Sequence, residues 1–416
     1  MPKWMKMFDG RLDVEPPLSQ EQLGKIPARR GVLCLLAAAD EPILLTTAAD
    51  IRARLRGRLA ARQDDQRTRT ADLRAVTRRI LWKRATSHFE MDLLFLDRAR
   101  TIWPDTYTSL LAWKPAWFVG VDFSEAYPYF TRTREVSWID VERHDPHCRY
   151  FGPFPNGRWA QQFVESLQDA MDLCRHVKCL RLSPNGKRCA YAQIGKCLSP
   201  CDGTVSTDEY RSAVLEAAEL AAGRREGLIG RLHEQMNRAA DALEFEKAAS
   251  IKTKLSRLAD FDNKAFEFVA PAEQFRFILV QRADSTRRAK VFLVNIAGIV
   301  PAGVLDYPLK DAQLRRVLDR MAKVVGKPSR ACADARWPIG LVTHYLFAAG
   351  PKRGAVVRWH DQLTPANLAA GIERASDCLG LGSRAGRDDK PAAPASPSCD
   401  PGGYDDGDCQ GDSVTE

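Results

Sequence analysis

The order of apolar and polar residues predicts alternating strands and helices in the first part of the chain. Short apolar runs bounded by turn residues predict strands at 31–37, 43–46, 119–123 and 127–131. Helical periodicity, with Asp50 as one capping residue, predicts helices at 51–59, 71–85, 90–100 and 158–173. The stretch 149–156 combines Gly, Pro and aromatic residues, and is predicted as a turn.

The pattern changes in the second half of the chain. No proline interrupts residues 208–258, and their apolar periodicity predicts mostly helix. Beyond them, an antiparallel meander with helices packed on it is predicted, with strands at 275–280, 290–296 and 299–305 and helices at 314–325 and 339–347. From residue 382 onward, Gly, Pro, Ser, Ala and Asp dominate, which is typical of disorder.

These elements predict an α+β protein of several domains. The predicted divisions are an irregular leader (1–26), a small α/β domain (27–135), a cysteine-cluster segment (145–205), a helical region (206–262), a second α+β region (265–378) and a disordered acidic tail (379–416).

The charge of the chain is uneven. Its 416 residues include 62 Lys and Arg against 53 Asp and Glu, a net charge of +9. Residues 382–416 carry three Lys or Arg and eight Asp or Glu, so the body that precedes them is the basic part. A basic body fits a polyanion such as DNA, and solubility alone is the alternative. Neither a membrane span nor a signal-peptide core is found, so we expect a cytoplasmic protein with reduced thiols and no membrane partner.

Four cysteines are close together in the sequence. Cys179, Cys189, Cys197 and Cys201 lie within 23 residues, at the spacing C-x9-C-x7-C-x3-C. Thiolates this close, separated by the turn at 183–186, can converge on one metal centre. Soft sulfur ligands select zinc or an iron–sulfur cluster, and the spacing does not separate the two. The alternative, a scatter of core cysteines, is less favoured because basic residues flank the cluster.

Two runs resemble the UvrC excinuclease family, one before the cluster and one that contains its last three cysteines. They are residues 149–158 (RYFGPFPNGR) and 188–201 (RCAYAQIGKCLSPC). The family has a Tyr-Phe-Gly-Pro element and then a Pro-Cys-Leu-x-Tyr-Gln-Ile-Gly-x-Cys-x-x-Pro-Cys segment. The resemblance implies a 4Fe-4S cluster on the four cysteines. The first gap is shorter here, so Cys174 is an alternative to Cys179, and the similarity of Leu173–Cys179 to the family's Leu-Phe-Pro-Leu-Arg-Thr-Cys favours Cys179.

A third run, within residues 239–258, resembles the UVR motif of the same family. The matching residues are Leu243, Glu244, Phe245, Glu246, Ala248 and Ala249. In the family this motif mediates contact between the UvrB and UvrC proteins, so the resemblance implies a UvrB-like partner. Phe245 is predicted to anchor a partner helix or to pack within the hairpin itself. Periodicity alone favours an ordinary core hairpin.

The small α/β domain resembles the family's GIY-YIG nuclease, with most of its chemistry missing. The family's two Tyr, its Gly and its Lys are replaced here by Leu33, Leu44, Thr46 and Thr47. The resemblance places the catalytic Arg on Arg54 and the metal-binding Glu on Asp97, with Asp92 as a weaker candidate. Because leucine cannot transfer a proton, we predict a degenerate site. An active, Cho-like endonuclease with one divalent metal is the alternative.

Arginines at helical spacing add a DNA-binding signal. Residues 52–84 hold twelve Lys or Arg against three Asp, and the predicted contacts to phosphate are Arg52, Arg54, Arg56 and Arg58. A solvated charged face is the alternative. Together these features predict a DNA-binding accessory protein of nucleotide excision repair. A scaffold protein whose cysteines hold zinc is a further hypothesis.

Overall fold

The computed structural model describes residues 2–59, 73–135, 147–326 and 335–381. Within these ranges the chain forms three antiparallel sheets of four strands each, with helices packed on them. This mixture confirms the predicted α+β class. The predicted disordered tail (379–416) lies outside the described residues from 382 onward, and its predicted start was wrong, because Leu379 and Leu381 are buried. Among the described helices, none combines the length and apolar character that crossing a membrane requires.

The first sheet has the strand order β1-β4-β2-β3. Its strands are β1 (Gly10–Asp13), β2 (Gly31–Leu36), β3 (Pro42–Ala48) and β4 (Arg79–Arg84). The helices of this region are α1 (Gln20–Gly24), α2 (Ile51–Leu59) and α3 (His88–Ile102). At the start of β2, a side chain on Gly31 would meet the carbonyl oxygen of Lys83, 2.1 Å from an ideal Cβ. Glycine therefore allows β2 and β4 to pair here.

Two predictions for this sheet were wrong. The leader is not irregular, because its β1 pairs with β4 and its α1 begins with a capping box at Ser19. Its apolar residues, such as Leu23 and Ile26, are buried in the core and hold it there. The helix predicted at 71–85 is replaced near its end by β4, which lies between two partner strands, and residues 60–72 lie outside the described ranges.

The strand β2 separates two cores. Leu33 and Leu35 belong to the core that includes Ile51 of α2, whereas Cys34 belongs to the core that includes Phe89 of α3. Successive side chains of a strand point to opposite faces of the sheet. Helices α2 and α3 therefore pack on opposite faces of the first sheet.

The second sheet has the order β6-β5-β7-β8 and carries most of the helices. Its strands are β5 (Trp117–Asp122), β6 (Phe130–Thr133), β7 (Cys148–Phe154) and β8 (Ala270–Pro271). The helices that follow β7 are α4 (Gly157–Met171), α5 (Val177–Leu180), α6 (Ala190–Gln193), α7 (Thr207–Ala221), α8 (Glu226–Asp241) and α9 (Phe245–Arg257). The predicted helical region is therefore three helices, since α7 ends before Gly223, which has a φ of +82°.

The predicted turn at 149–156 was also wrong, because most of it is strand β7. Phe151 and Phe154 of β7 are buried and pair with β5, and their rings lie in the core between the sheet and α4. Pro153 falls where the register between β5 and β7 shifts, a position that tolerates the missing N–H of proline. Burial of the aromatic residues in this run favoured a strand more strongly than its Gly and Pro favoured a turn.

The third sheet has the order β11-β10-β9-β12. Its strands are β9 (Phe277–Arg282), β10 (Arg288–Asn295), β11 (Gly298–Asp306) and β12 (Ala355–Arg358). Its helices are α10 (Asp311–Val325), α11 (Arg336–Leu346), α12 (Gly350–Arg353), α13 (Pro365–Glu373) and α14 (Ser376–Leu379). One face packs on α10 and α13, and the other shares a core with α3 and α11. The first and third sheets are thus joined through α3.

Candidate functional site

The tip of the α8–α9 hairpin presents two large apolar side chains to solvent. Leu243 is 72% exposed and Phe245, the first residue of α9, is 66% exposed. Leu243 has a φ of +60°, a left-handed conformation that non-glycine residues rarely adopt. The amide N–H of Glu244 donates to the carbonyl of Ala239 at 2.8 Å, which closes the turn. The tip is therefore ordered by its backbone, and its apolar side chains are not used in packing.

The other residues of the UVR-like run surround this tip. Glu244 pairs with Lys247 at 2.8 Å, and Glu246 and Ala249 are exposed, while Ala248 is half-buried against the core. Of the two predicted roles for Phe245, packing within the hairpin does not occur. The buried side chains of the hairpin lie on its inner side and include Leu232, Ala239 and Ile251.

The cysteine segment, residues 174–201, is built on the base of α4 and α7. Leu180 of α5 and Ala192 of α6 are buried in the same core as Tyr210 of α7. Two backbone hydrogen bonds tie the segment together, one from Leu198 N–H to the Asp172 carbonyl at 2.9 Å and one from Gly186 N–H to the Cys201 carbonyl at 2.6 Å. The turn at 183–186 thus folds back onto the last cysteine.

One thiol contact in this segment joins Cys174 and Cys197. The Cys174 thiol donates to the His176 carbonyl at 3.5 Å, and its contact with Cys197 lowers the pKa of Cys197 and raises the pKa of Cys174. The Ser199 N–H also donates to Cys197 Sγ at 3.4 Å. Burial raises the pKa of Cys201. Cys174, the alternative candidate for the first ligand, therefore lies against another cysteine of the set.

The four thiols of the segment are suitable metal ligands, but their sulfur atoms do not lie in one close group. Cys197 and Cys201 are buried and Cys179 and Cys189 are half-buried. No group of three or more His, Cys, Asp or Glu side chains in the described ranges, which include every cysteine of the set, is close enough to hold a metal ion.

The positions of the nuclease-like site are filled by packing residues. Leu33 is 1% exposed and pairs across the sheet with Thr46. Leu44 is half-buried in the same core. Thr47 pairs with Val32 on the neighbouring strand. Leu33 and Leu44 therefore offer no group that could transfer a proton.

The three candidate catalytic residues do not form a common site. Arg54 is exposed on α2, and Asp97 is exposed on α3, which packs on the opposite face of the sheet. Asp92 of α3 accepts a hydrogen bond of 2.6 Å from the Tyr345 hydroxyl of α11. Burial raises the pKa of Asp92, and this hydrogen bond opposes the rise. Asp92 thus lies where the first and third sheets meet.

The predicted DNA-contacting arginines divide into two kinds. The Arg52 guanidinium donates to the carbonyls of Ile26 at 2.7 Å and Gly24 at 3.2 Å and so holds the end of α1, while its contact with phosphate stays a prediction. Arg54 and Arg56 are exposed, and Arg58 is half-buried. Much of the remaining basic run, residues 60–72, lies outside the described part of the chain.

The sequence analysis did not find two features of the site. The first is a polar cluster where Arg30, His344 and Lys352 act electrostatically on Asp92. The second is a set of exposed apolar residues on the cysteine segment, with Leu182 62% and Ile194 65% exposed. The second could have been found, since the segment lacks the periodicity that would bury them.

Comparison with known proteins supports the middle of the chain most strongly. Residues 124–220 match the family model of the UvrC/Cho excinuclease middle domain, and residues 226–260 match that of the UvrB/uvrC motif. The resemblance is thereby confirmed for the cysteine segment and the hairpin. No solved structure is similar to the chain.

Curated relatives extend the similarity beyond these two regions. The UvrABC system protein C of Moorella thermoacetica is 26% identical over 364 residues, which cover 82% of this chain and 56% of that protein. The protein of the same name from Nautilia profundicola is 33% identical over 141 residues, 34% of this chain and 21% of that protein. That from Desulforudis audaxviator is 31% identical over 186 residues, 43% and 30% respectively. The chain spans about half or less of the length of these relatives.

Proposed function

We propose that this chain, as a relative of the UvrABC system protein C, serves nucleotide excision repair as a DNA-binding accessory that docks a UvrB-like partner and does not cleave DNA. The observation that carries the proposal is the hairpin tip. Two large apolar side chains are held in solvent there by an ordered turn, within a run that matches the UvrB/uvrC motif. An ordered apolar knob of this kind suits insertion between the helices of a partner.

The partner is proposed to bury Leu243 and Phe245 as paired anchors. Charged residues surround them, so the contact has the arrangement of an apolar centre with a polar rim. Pull-down of a UvrB-like protein by the wild-type chain and by Phe245→Ala tests this. We expect at least a tenfold loss of binding, because a buried aromatic anchor contributes about 2 kcal/mol or more.

The matched control for that experiment is Leu215→Ala, which removes another exposed apolar side chain, 41% exposed on α7. It should bind the partner as the wild-type chain does. Unchanged binding by Phe245→Ala, with Leu215→Ala also unchanged, would remove the hairpin tip from the proposal.

The absence of cleavage is proposed from the first sheet. Leucines replace the proton-transferring side chains, and Arg54 is separated from Asp97 by the sheet. Incubation of a lesion-bearing duplex with the chain and Mg²⁺ or Mn²⁺ should leave the DNA intact. Incision that is lost in both Arg54→Ala and Asp97→Ala would instead establish the alternative, an active Cho-like endonuclease that uses one divalent metal.

We also propose that the cysteine segment holds a 4Fe-4S cluster, with zinc as the alternative. Its support is the thiol donor set and the match to the family's middle domain. Protein purified anaerobically should absorb visible light through sulfur-to-iron charge transfer and contain iron. A colourless protein with stoichiometric zinc would identify the zinc scaffold.

A further inference from the structure

The exposed side of the cysteine segment carries positive charge with no acidic residue among it. Residues 174–201 contain six Lys or Arg and no Asp or Glu. Two of the six are used inside the fold, because Arg175 pairs with Asp169 and Arg188 pairs with Asp202 at 3.2 Å. The four that remain are exposed and form no ion pair with the described residues. They are Lys178, Arg181, Lys187 and Lys196.

Three large apolar side chains of the same segment are exposed as well. The inner side of the segment is defined by Leu180, Ala192 and Cys197, which are buried against α4 and α7. Leu182 and Ile194, at 62% and 65% exposure, belong to the outer side. Tyr191 is 37% exposed and is held in place by the Arg175 guanidinium, 4.8 Å from its ring centre, and by the ring of His176 at 5.6 Å.

Two kinds of ligand surface could cover such a patch, and the charge decides between them. A protein partner of ordinary composition would leave four cations without counter-charges in a contact whose centre is apolar. DNA supplies phosphates for the cations at every nucleotide. Intact B-DNA, however, offers apolar surface only at groove edges, whereas unstacked bases offer whole faces.

We infer that the outer side of the cysteine segment is a docking surface for opened DNA, in which the four free cations contact phosphates while Leu182, Tyr191 and Ile194 contact unstacked bases. This inference rests on the proposed function and deepens it, since it names the DNA structure and the surface that recognises it. Apolar side chains inserted beside unstacked bases are a known way for proteins to hold distorted DNA.

Two variants of the full chain separate the two parts of the surface. The first replaces the four free cations by Gln, and its matched control replaces Arg287, Lys310, Arg316 and Lys323, four exposed cations of the third-sheet region, by Gln. The second carries Leu182→Ser and Ile194→Ser, and its control carries Leu110→Ser and Val304→Ser, which change side chains of 43% and 37% exposure. Thermal unfolding confirms that all four variants fold.

The measurement is binding to an intact duplex and to the same duplex with an unpaired bubble, at several salt concentrations. Wild type should prefer the bubble. The cation variant should weaken binding to both DNAs by about tenfold or more, and should flatten the salt dependence by roughly 0.9 in log–log slope for each phosphate that is no longer neutralised. The apolar variant should weaken binding to the bubble by about tenfold and leave the intact duplex unchanged. Both controls should bind as wild type does.

The outcomes distinguish this inference from the proposed function. Failure of the wild-type chain to bind either DNA would overturn the proposed function. Wild-type binding that the cation variant retains would overturn the docking surface alone. An apolar variant that keeps the bubble preference but loses a protein partner would show that this side of the segment binds protein, and would also overturn the inference.

Discussion

The first sheet and the middle region, from the cysteine segment to the hairpin, resemble the same family in opposite ways. In the first sheet, the positions to which the nuclease resemblance assigns function are packing positions, and Leu33 is 1% exposed. In the middle region, the functional positions stand outside the core, with Leu243 and Phe245 both more than 60% exposed. If the nuclease chemistry is lost as we propose, the leucines at these positions keep the interior closely packed.

This difference in exposure indicates whether the residues of each region act on stability or on binding. Leucines in the first sheet lower the free energy of the folded chain by burying apolar surface. The exposed tip of the hairpin contributes almost none of that energy, and the role we propose for its side chains is contact with another molecule. The two regions are therefore distinguished by whether a substitution changes stability or binding.

The largest effect is expected at Phe89, the residue that joins the first and third sheets. Its ring is 0% exposed and packs edge-on against Phe292 and Tyr345, with centroids 5.1 and 5.2 Å away. Phe89→Ala should lower the free energy of unfolding by about 3–5 kcal/mol, measured by urea denaturation. Phe245→Ala, the same change at an exposed site, should lower it by less than about 0.5 kcal/mol. Equal losses in the free energy of unfolding would contradict the difference that we infer between the two regions.

Restoring a tyrosine in the first sheet should cost stability without restoring cleavage. Leu33 is enclosed by the core on the α2 face, so Leu33→Tyr adds volume and a hydroxyl where there is no space. We expect a loss of about 1–3 kcal/mol and no incision of DNA. Leu33→Met, which nearly conserves volume, serves as the control and should cost less than about 1.5 kcal/mol. A Leu33→Tyr variant that gains cleavage would mean that the other residues needed for cleavage are still in place.

An intermediate effect is expected where the first and third sheets meet. Tyr345→Phe removes the hydroxyl that donates to Asp92, and a partly buried carboxylate then loses its hydrogen bond. The free energy of unfolding at pH 7 should fall by about 1–2 kcal/mol.

The pH dependence of this effect follows from the Asp92 carboxyl. Burial raises the pKa of Asp92 in the folded chain above that of an ordinary aspartate. The protonated carboxyl therefore contributes fully to the free energy of unfolding below the ordinary pKa, and this contribution is lost as the pH rises through the pKa of the folded chain. The Tyr345 hydrogen bond limits this loss because it stabilises the carboxylate. The cost of Tyr345→Phe should therefore be greater at pH 7 than at pH 4. In an Asp92→Asn background, which cannot ionise, the cost should be the same at both values.

Secondary structure was predicted best where the apolar periodicity was not opposed by another sequence feature. The helix from 90 to 100 and the strands from 290 to 305 appear close to their predicted bounds because their apolar periodicity is strong. The run at 149–156 failed because Gly and Pro suggest a turn, while the two buried phenylalanines that favour a strand gain their energy only from distant partners. The leader failed likewise, since β1 is stabilised by β4, about 70 residues later in the chain.

The candidate site was predictable in identity more than in geometry. The motif residues of the hairpin were identified from the sequence, but their exposure depends on how α8 and α9 pack. Spacing in the sequence likewise could not reveal that Cys174 would contact Cys197, or that Arg52 would hold the end of α1. These are contacts between elements, which no local pattern encodes.

The smallest effect tests whether the hairpin tip is shaped for binding at the expense of stability. Leu243 has a φ of +60°, which disfavours a residue with a Cβ by about 1 kcal/mol, and its exposed side chain gains nothing in return within the chain. Leu243→Gly should therefore be more stable than Leu243→Ala by about 0.5–1 kcal/mol, because both lack the apolar side chain and only alanine keeps the strain. Both variants should bind a UvrB-like partner more weakly than the wild-type chain does. Calorimetric unfolding together with the pull-down compares the two properties, and a glycine variant that keeps full binding would show that the turn geometry, and not the leucine, is what the partner recognises.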